Sequence, residues 1–216
     1  MTEISIMMPD FVKLIEEHIP DPMVIVDLGS MDAKDSLYLK SYFPNARVYS
    51  IEGLEENYIL IKNIPQIIPI QAVVCSIDGE TNFHKKNVNG IHGIYDRGEK
   101  YGSEKRNVKC CTFKTLAKEV MKEPTIDVLK IDVEGATYDV LFGMGDFIHN
   151  INMMHIETET HAFFAGQVIE DGVFDYLMNH DFKMLDRRCC EINRDAFQCD
   201  SVWINRRIYD GRLVGK

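Results

Sequence analysis

Four acidic residues stand where apolar runs end. Asp27 follows Met23-Val24-Ile25-Val26, Glu52 closes ARVYSIE, Asp132 closes IDVLKID, and Glu157 lies near the end of INMMHIETE. Each run has the β-branched, apolar character of a buried strand. Carboxylates at the carboxyl ends of parallel strands face the crevice where open α/β sheets bind their ligands. Such a rim can accept hydrogen bonds from a ribose diol, receive a cationic ligand, or hold a hard divalent cation through oxygen.

The first of these runs narrows the ligand. Asp27-Leu28-Gly29 continues as Ser30, Met31, Asp32 and Ala33, without the further glycines that let backbone amides approach a pyrophosphate. Glu52 lies about where an acid roughly 20 residues beyond such a turn accepts from a ribose. An adenosine-type ligand without phosphate satisfies both observations. S-adenosylmethionine is such a ligand, and its ammonium and sulfonium suit an acidic rim. A plain strand-to-helix turn also produces Asp-x-Gly, so the loop alone does not decide.

Methyl transfer to oxygen requires a hydroxyl held in line and relieved of its proton. Asp132 is the leading candidate for the catalytic centre. Asp132 and Glu157 are expected to end adjacent strands, with Glu159 two residues on along the same face. This oxygen set suits Mg2+ or Mn2+, either of which would lower a hydroxyl's pKa. His161, just past the strand, is a candidate base or metal ligand, or else a solvated loop histidine. Glu134 either takes part in the chemistry or orients Lys130 and caps the helix that follows. Lys130 is a candidate counter-charge, and His155 a packed structural histidine. In KNVNGIHGIYDRGEKYGSEKR (86–106), Asn89, His92, Tyr95, Arg97 and Tyr101 offer donors and flat faces to a polyol, while the glycines permit movement.

The elements that must position these groups follow from periodicity. A leading amphipathic helix is expected over 9–19, within a leading segment 1–22, and strands at 23–28, 46–52 and 67–75, the last interrupted by Pro69. Helices are expected at 33–42 and 55–64, and a hairpin with a long loop between Gly79 and Asn107. A short strand at 108–113 leads to a helix at 115–122. Strands at 126–132, 151–159, 182–187 and 200–206 alternate with helices at 136–144 and 173–180. The predicted fold is one α/β domain over 1–216, a parallel sheet with helices on both faces and a late antiparallel strand. Met153, Met154 and Trp203 are expected in the core, and NRRIYDGRLVGK as a ragged polar tail.

Composition agrees with a globular chain: 216 residues, 45% apolar and 27% charged. A net charge of −10 disfavours an extended nucleic-acid footprint. No run approaches the roughly 20 apolar residues of a membrane span. The N-terminus lacks a secretory pattern, so a cytoplasmic location is expected. Cys75, Cys110, Cys111, Cys189, Cys190 and Cys199 match no zinc spacing, and reduced thiols are expected inside a cell.

The segment IDVLKIDVEGATYDVLFGM (126–144) resembles the signature of the FkbM-type methyltransferases. Their Lys-Ile-Asp-Val-Glu-Gly strand end and following helix correspond to Lys130, Ile131, Asp132, Val133, Glu134, Gly135, Ala136, Val140, Leu141 and Gly143, with Thr137 in place of a usual glutamate. VDLGSMDAKDS, VYSIEG, IQAVVCSIDGETNFH, TFKTLAKE and MMHIETETHAFFAGQ follow in the family's order, so the resemblance spans about 23–205. Members commonly have glycine where Met31 or Ala33 stands. The resemblance implies a Rossmann-like class I methyltransferase fold, a mostly parallel seven-stranded sheet with one antiparallel strand. It also implies a cofactor site with Asp27, Gly29 and Ser30 near the methionyl end, Glu52 on the ribose, and Ala72 and Val73 beside adenine. The expected activity is O-methylation of a sugar hydroxyl in a glycan or glycosylated metabolite, metal-assisted by analogy with other enzymes of this fold. Competing readings are a nicotinamide oxidoreductase, disfavoured by the single glycine, and a non-catalytic binder of the same cofactor.

Overall fold

Val24–Leu28 is buried at every position, as a strand covered on both faces must be. The computed structural model describes residues 7–102, 104–163, 165–193 and 196–214. Residues 1–6 of the leading segment, Ser103 and Phe164 of the expected loops, and Gly215 and Lys216 of the expected tail lie outside the described residues. In chain order the elements are α1 (Met8–His18), β1 (Val24–Leu28), α2 (Lys34–Tyr42), β2 (Arg47–Glu52), α3 (Glu55–Ile61), β3 (Ile68–Gln71) and β4 (Val73–Val74). The hairpin strands β5 (Gly79–Lys85) and β6 (Glu104–Cys111) follow, then α4 (Phe113–Thr115), which runs on as a π-helical segment, Leu116–Met121. The second half comprises β7 (Ile126–Ile131), α5 (Thr137–Met144), β8 (Ile151–Glu159), α6 (Glu170–Asn179), β9 (Phe182–Asn193), β10 (Ala196–Asn205) and α7 (Arg206–Val214).

The main sheet has seven strands in the order β3-β2-β1-β7-β8-β10-β9, and β10 alone runs antiparallel to its neighbours. Strand alternation divides its side chains between two cores. Val24, Val26, Leu28, Leu129, Ile131, Met154 and Ile156 face α4, α5 and α6. Ile25, Val128, Met153, Val202 and Ile204 face α1, α2 and α7. A separate three-stranded sheet, β4-β6-β5, packs Val73, Phe83 and Cys110 around Leu54 beside the carboxyl end of β2.

Three expectations need correction. Pro69 does not interrupt the third strand: it pairs within β3, an edge strand, where a missing N–H is tolerated. The break falls at Ala72, where the chain leaves the large sheet for the small one. The C-terminal segment is a helix rather than a ragged tail, and Ile208 and Tyr209 pack into the α1-side core. Cys189 and Cys199 are joined in a disulfide, so the expectation of six reduced thiols fails at this pair. They sit directly opposite each other in the β9–β10 ladder with Cα atoms 4.0 Å apart, and the hairpin register brings them together. Cys75, Cys110, Cys111 and Cys190 are free. Among the described residues, no helix is long and apolar enough to cross a membrane.

Candidate active site

The carboxyl ends of β1, β2, β7 and β8 open onto a cleft of about 230 Å³ that communicates with solvent. Leu28, Gly29 and Met31 form one wall, Glu52, Gly53 and Asn57 a second, and Ala72 to Val74 with Phe83 a third. The segment Gly90–Ile94 arches over it, and Asp132, Val133, Glu134 and Glu157 close the remaining end.

Gly29 is the pivot of the first wall. Its φ is +88°, and a Cβ there would lie 1.7 Å from the carbonyl oxygen of Asp132. Only glycine satisfies both constraints. The approach is locked by Asp132 N–H donating to Leu28 O at 2.9 Å, and by Gly29 N–H donating to Ile51 O at 2.9 Å. Beyond it, Met31 and Ala33 adopt left-handed φ values of 47° and 60°. These are the two positions where glycine is common in the resembled family. The backbone shape is therefore kept without the residue that adopts it most readily.

Glu52 points back at this turn. Its carboxylate accepts from Met31 N–H at 2.8 Å and from Leu54 N–H at 2.7 Å, leaving further lone pairs for a diol. Burial pushes its pKa up against the pull of those backbone donors. Ala72 and Val73 stand across the cleft.

At the other end three carboxylates converge. One oxygen each from Asp132, Glu134 and Glu157 lies within 4.8 Å of the others. Asp132 is fixed by Lys130 Nζ at 2.8 Å. Glu134 (φ 50°) and Gly135 (φ 83°) take successive left-handed conformations after β7, placing Glu134 among the acids. Arg97 Nη1 reaches Glu134 Oε2 at 3.3 Å. Glu157 accepts from Gln198 Nε2 on β10, while its Oε1 is buried without a hydrogen-bond partner. Burial, then the neighbouring Asp132, pushes Glu134 up to about 8. The same two causes, joined by Glu134, raise Glu157 well above the ordinary carboxylate range.

Other sequence candidates stand off the cleft wall. Asp27 is fully buried on the α1 side of β1, accepting from Ser36 Oγ at 2.6 Å with Lys130 Nζ at 3.7 Å. It lies two residues before Gly29, inside the sheet, where register pairs it with Ser50 and Lys130. Ser30 is buried, its N–H donating to Ile51 O. Glu159, 2% exposed, accepts from Gln167 Nε2, and Glu134 takes the third place in the acid cluster, where Glu159 is expected from strand periodicity. His161 is exposed beyond β8, its Nδ1 3.1 Å from Thr160 Oγ1. Among the acceptor-side candidates, His92 lines the cleft and its Nδ1 accepts from Lys86 N–H at 3.0 Å. Asn89 is exposed, and Tyr95 Oη donates to Asp139 Oδ2 at 2.9 Å. Sequence reasoning missed Asn57 and Ile94. Phe83 carried a signal, lying in IQAVVCSIDGETNFH, the stretch of family resemblance that also contains Ala72 and Val73.

A mostly parallel, seven-stranded α/β sheet with its cleft at the carboxyl edge defines a Rossmann-like domain of the methyltransferase kind. Solved structures with this fold include TrmK of M. capricolum in complex with S-adenosyl-homocysteine, at 12% identity and TM-score 0.52 over 94% of this chain and 70% of that one. The N-terminal domain of EvdMO1 with S-adenosyl-homocysteine bound aligns at 15% identity and TM-score 0.53, over 94% and 82%. The 1,6-didemethyltoxoflavin-N1-methyltransferase of Burkholderia thailandensis aligns at 11% identity and TM-score 0.50, over 93% and 78%. No curated protein matches the chain at a significant level. Residues 27–184 match the methyltransferase FkbM domain, and the chain belongs to this family of S-adenosylmethionine-dependent methyltransferases. Membership decides between methyl and hydride transfer in favour of the former.

Proposed function

We propose that the protein methylates a hydroxyl group, most naturally that of a sugar in a glycan or glycosylated metabolite. The observation that carries this reading is the convergence of Asp132, Glu134 and Glu157 in the same cleft as Glu52, Ala72 and Val73. One end suits an adenosine and the other suits a polar, proton-bearing acceptor.

The residues fit S-adenosylmethionine. Gly29 lets the turn after β1 pack against the Asp132 carbonyl and so forms the cleft wall, Glu52 presents a buried carboxylate to a diol, and Ala72 with Val73 offers an apolar wall to a flat base. When bound, this cofactor supplies a methyl group already activated by its sulfonium. The protein's part is to orient the hydroxyl and take its proton. Asp132, held by Lys130, is in place to accept a hydrogen bond from it. Glu134, turned into the cluster by its left-handed backbone, is the proton acceptor in this proposal. Asp27 would act from behind, through Lys130, rather than on the cofactor.

The same three acids would hold Mg2+ or Mn2+. Hard oxygen donors within 4.8 Å of one another, with Glu157 Oε1 free of hydrogen bonds, fit such an ion. It would lower the hydroxyl's pKa and fix its position.

Calorimetric titration with S-adenosylhomocysteine and with NAD tests the cofactor end, and binding of NAD alone would refute the proposal. Transfer of a labelled methyl to a panel of sugars, with chelator and with added Mg2+ or Mn2+, tests the acceptor end. Transfer confined to amines would refute the hydroxyl assignment, and transfer undiminished by chelator would remove the metal.

A further inference from the structure

Two loops meet above the acid cluster, and the Arg97 side chain bridges them. The 86–102 segment brings Arg97, whose side chain is only 14% exposed, to Glu134 Oε2 at 3.3 Å. The same guanidinium lies over the ring of Phe163, 5.5 Å from its centroid, in the segment that follows β8. That segment is anchored in turn: Phe163 N–H donates to Gln167 Oε1, and Gln167 Nε2 donates to Glu159. Tyr95 meets it a second time, its ring 3.8 Å from where a Cβ of Gly166 would stand. Arg97 thus touches both loops and the acid cluster, yet it does not line the cofactor cleft.

A flat guanidinium suits this post better than an ammonium. It can pair with a carboxylate along its edge while its face lies on an aromatic ring, and it stays charged at any working pH. Glu134 and Glu159 both feel its charge, so the contact spans from β7 to β8. Loops at the carboxyl edge of such sheets set what binds there, and a single tie between two of them sets their relative position.

We propose that Arg97 is a positioning residue, a latch that ties the 86–102 segment and the segment after β8 to Glu134 and fixes the roof under which the acceptor binds. Its acceptor role rests on the methyltransferase reading above; its loop-tying role does not.

Amide hydrogen exchange on the full chain separates the two. Arg97→Gln is expected to raise exchange roughly tenfold in both segments together, the scale of losing one local tie. Phe163→Leu should loosen both as well, and Arg97→Gln with Phe163→Leu should add little to the larger single effect. Arg97→Lys should restore part of the protection, since an ammonium pairs with Glu134 without covering the ring. Unchanged exchange after β8 in Arg97→Gln, or full additivity in the double variant, overturns the latch. With an acceptor that the wild type methylates, Arg97→Gln should raise the acceptor KM about tenfold and that of S-adenosylmethionine less than twofold. An equal rise in both overturns the positioning role. Wild-type protein that binds no S-adenosylhomocysteine would sink the methyltransferase reading, while the exchange data still decide the latch. If Arg97→Gln fails to fold, Arg97→Lys and Phe163→Leu carry the same exchange comparison.

Discussion

Replacing Gly29 by alanine tests whether the β1–β7 junction builds the cofactor end of the cleft. The new Cβ would stand 1.7 Å from Asp132 O, where even 3.0 Å is closer than Cβ atoms tolerate, so the two chains must part by about 1.3 Å. Two hydrogen bonds hold the turn in place, Asp132 N–H to Leu28 O across the β1–β7 junction and Gly29 N–H to Ile51 O on β2. Each contributes about 0.5–1.5 kcal/mol, and a left-handed backbone costs alanine about 1–2 kcal/mol. The sum is about 2–5 kcal/mol, or a fall in Tm of roughly 4–20 °C for a chain of this size. Gly98→Ala is the matched control, because its φ of +89° is nearly the same while nothing lies within 4 Å. It bears the conformational cost alone. Thermal unfolding gives the stabilities, and S-adenosylhomocysteine titration gives the affinity, which Gly29→Ala should reduce by at least about tenfold through the displaced wall. A Gly29→Ala protein that unfolds within 2 °C of Gly98→Ala and binds normally would refute this reasoning.

Asp132→Asn should lower methyl transfer more than about a hundredfold while leaving Tm within a few degrees, since Lys130 keeps Asp27 and Asp35 as partners; transfer at the wild-type rate would remove Asp132 from the catalytic centre. Thiol titration of the unfolded, unreduced chain should count four of six cysteines. Reducing the Cys189–Cys199 bridge, which closes a short hairpin of sequence separation 10, should cost up to about 3 kcal/mol and roughly 6–12 °C in Tm. Burial, and then Lys85, lower the pKa of His92, so its share of stability is present above its unfolded value and lost as pH falls through the lower folded one. Protonation at Nδ1 also forfeits the bond from Lys86 N–H. Wild-type Tm should therefore drop more steeply between pH 7 and pH 5 than that of His92→Gln, with His84 supplying part of the remaining slope; equal slopes would count against it.

Strands buried on both faces were legible because they are continuous apolar runs: β1, β7 and β8 fall within a residue or so of expectation. Edge elements were not. β9 was expected to stop at 187, yet it runs through Arg188-Cys189-Cys190-Glu191-Ile192, a sequence with no apolar run that is held in the sheet by pairing with β10. The same holds for α7, whose polar composition hides Ile208 and Tyr209 on one face. At the site, apolar runs ending in acids marked the carboxyl edge, but depth along the strand decides which acids reach the cleft. Asp27 pairs with Ser50 and Lys130 inside the sheet, while Glu52, Asp132 and Glu157, each two residues beyond that row, line the cleft with Gly29. Glu134 enters the cluster through a left-handed turn that no periodicity encodes, and it displaces Glu159 from the expected trio. The disulfide depends on hairpin register, which cysteine spacing alone does not fix.

The acid that ends β1 still requires a reason, since it faces no cleft. Register pairs Asp27 with Lys130 and Lys130 with His155, and His155 Nε2 lies 3.3 Å from Asp200 on β10. A row of ionisable groups thus crosses four strands on the α1 side, roofed by Phe11, which stacks on His155 at 5.0 Å. Lys130 is its centre. Burial alone would drive the proton off its amine, but Asp132 at 2.8 Å, Asp35 at 3.2 Å and Asp27 at 3.7 Å outweigh that and hold its pKa well above the ordinary value. A lysine so held cannot serve as a base; it is a fixed cation. Removing Asp27, the fully buried one of these partners, would weaken that compensation in a low-dielectric layer, where the penalty is steep. Asp27 therefore acts at one remove. By holding Lys130 in place, it holds Asp132, 2.8 Å from that amine, at the mouth of the cleft.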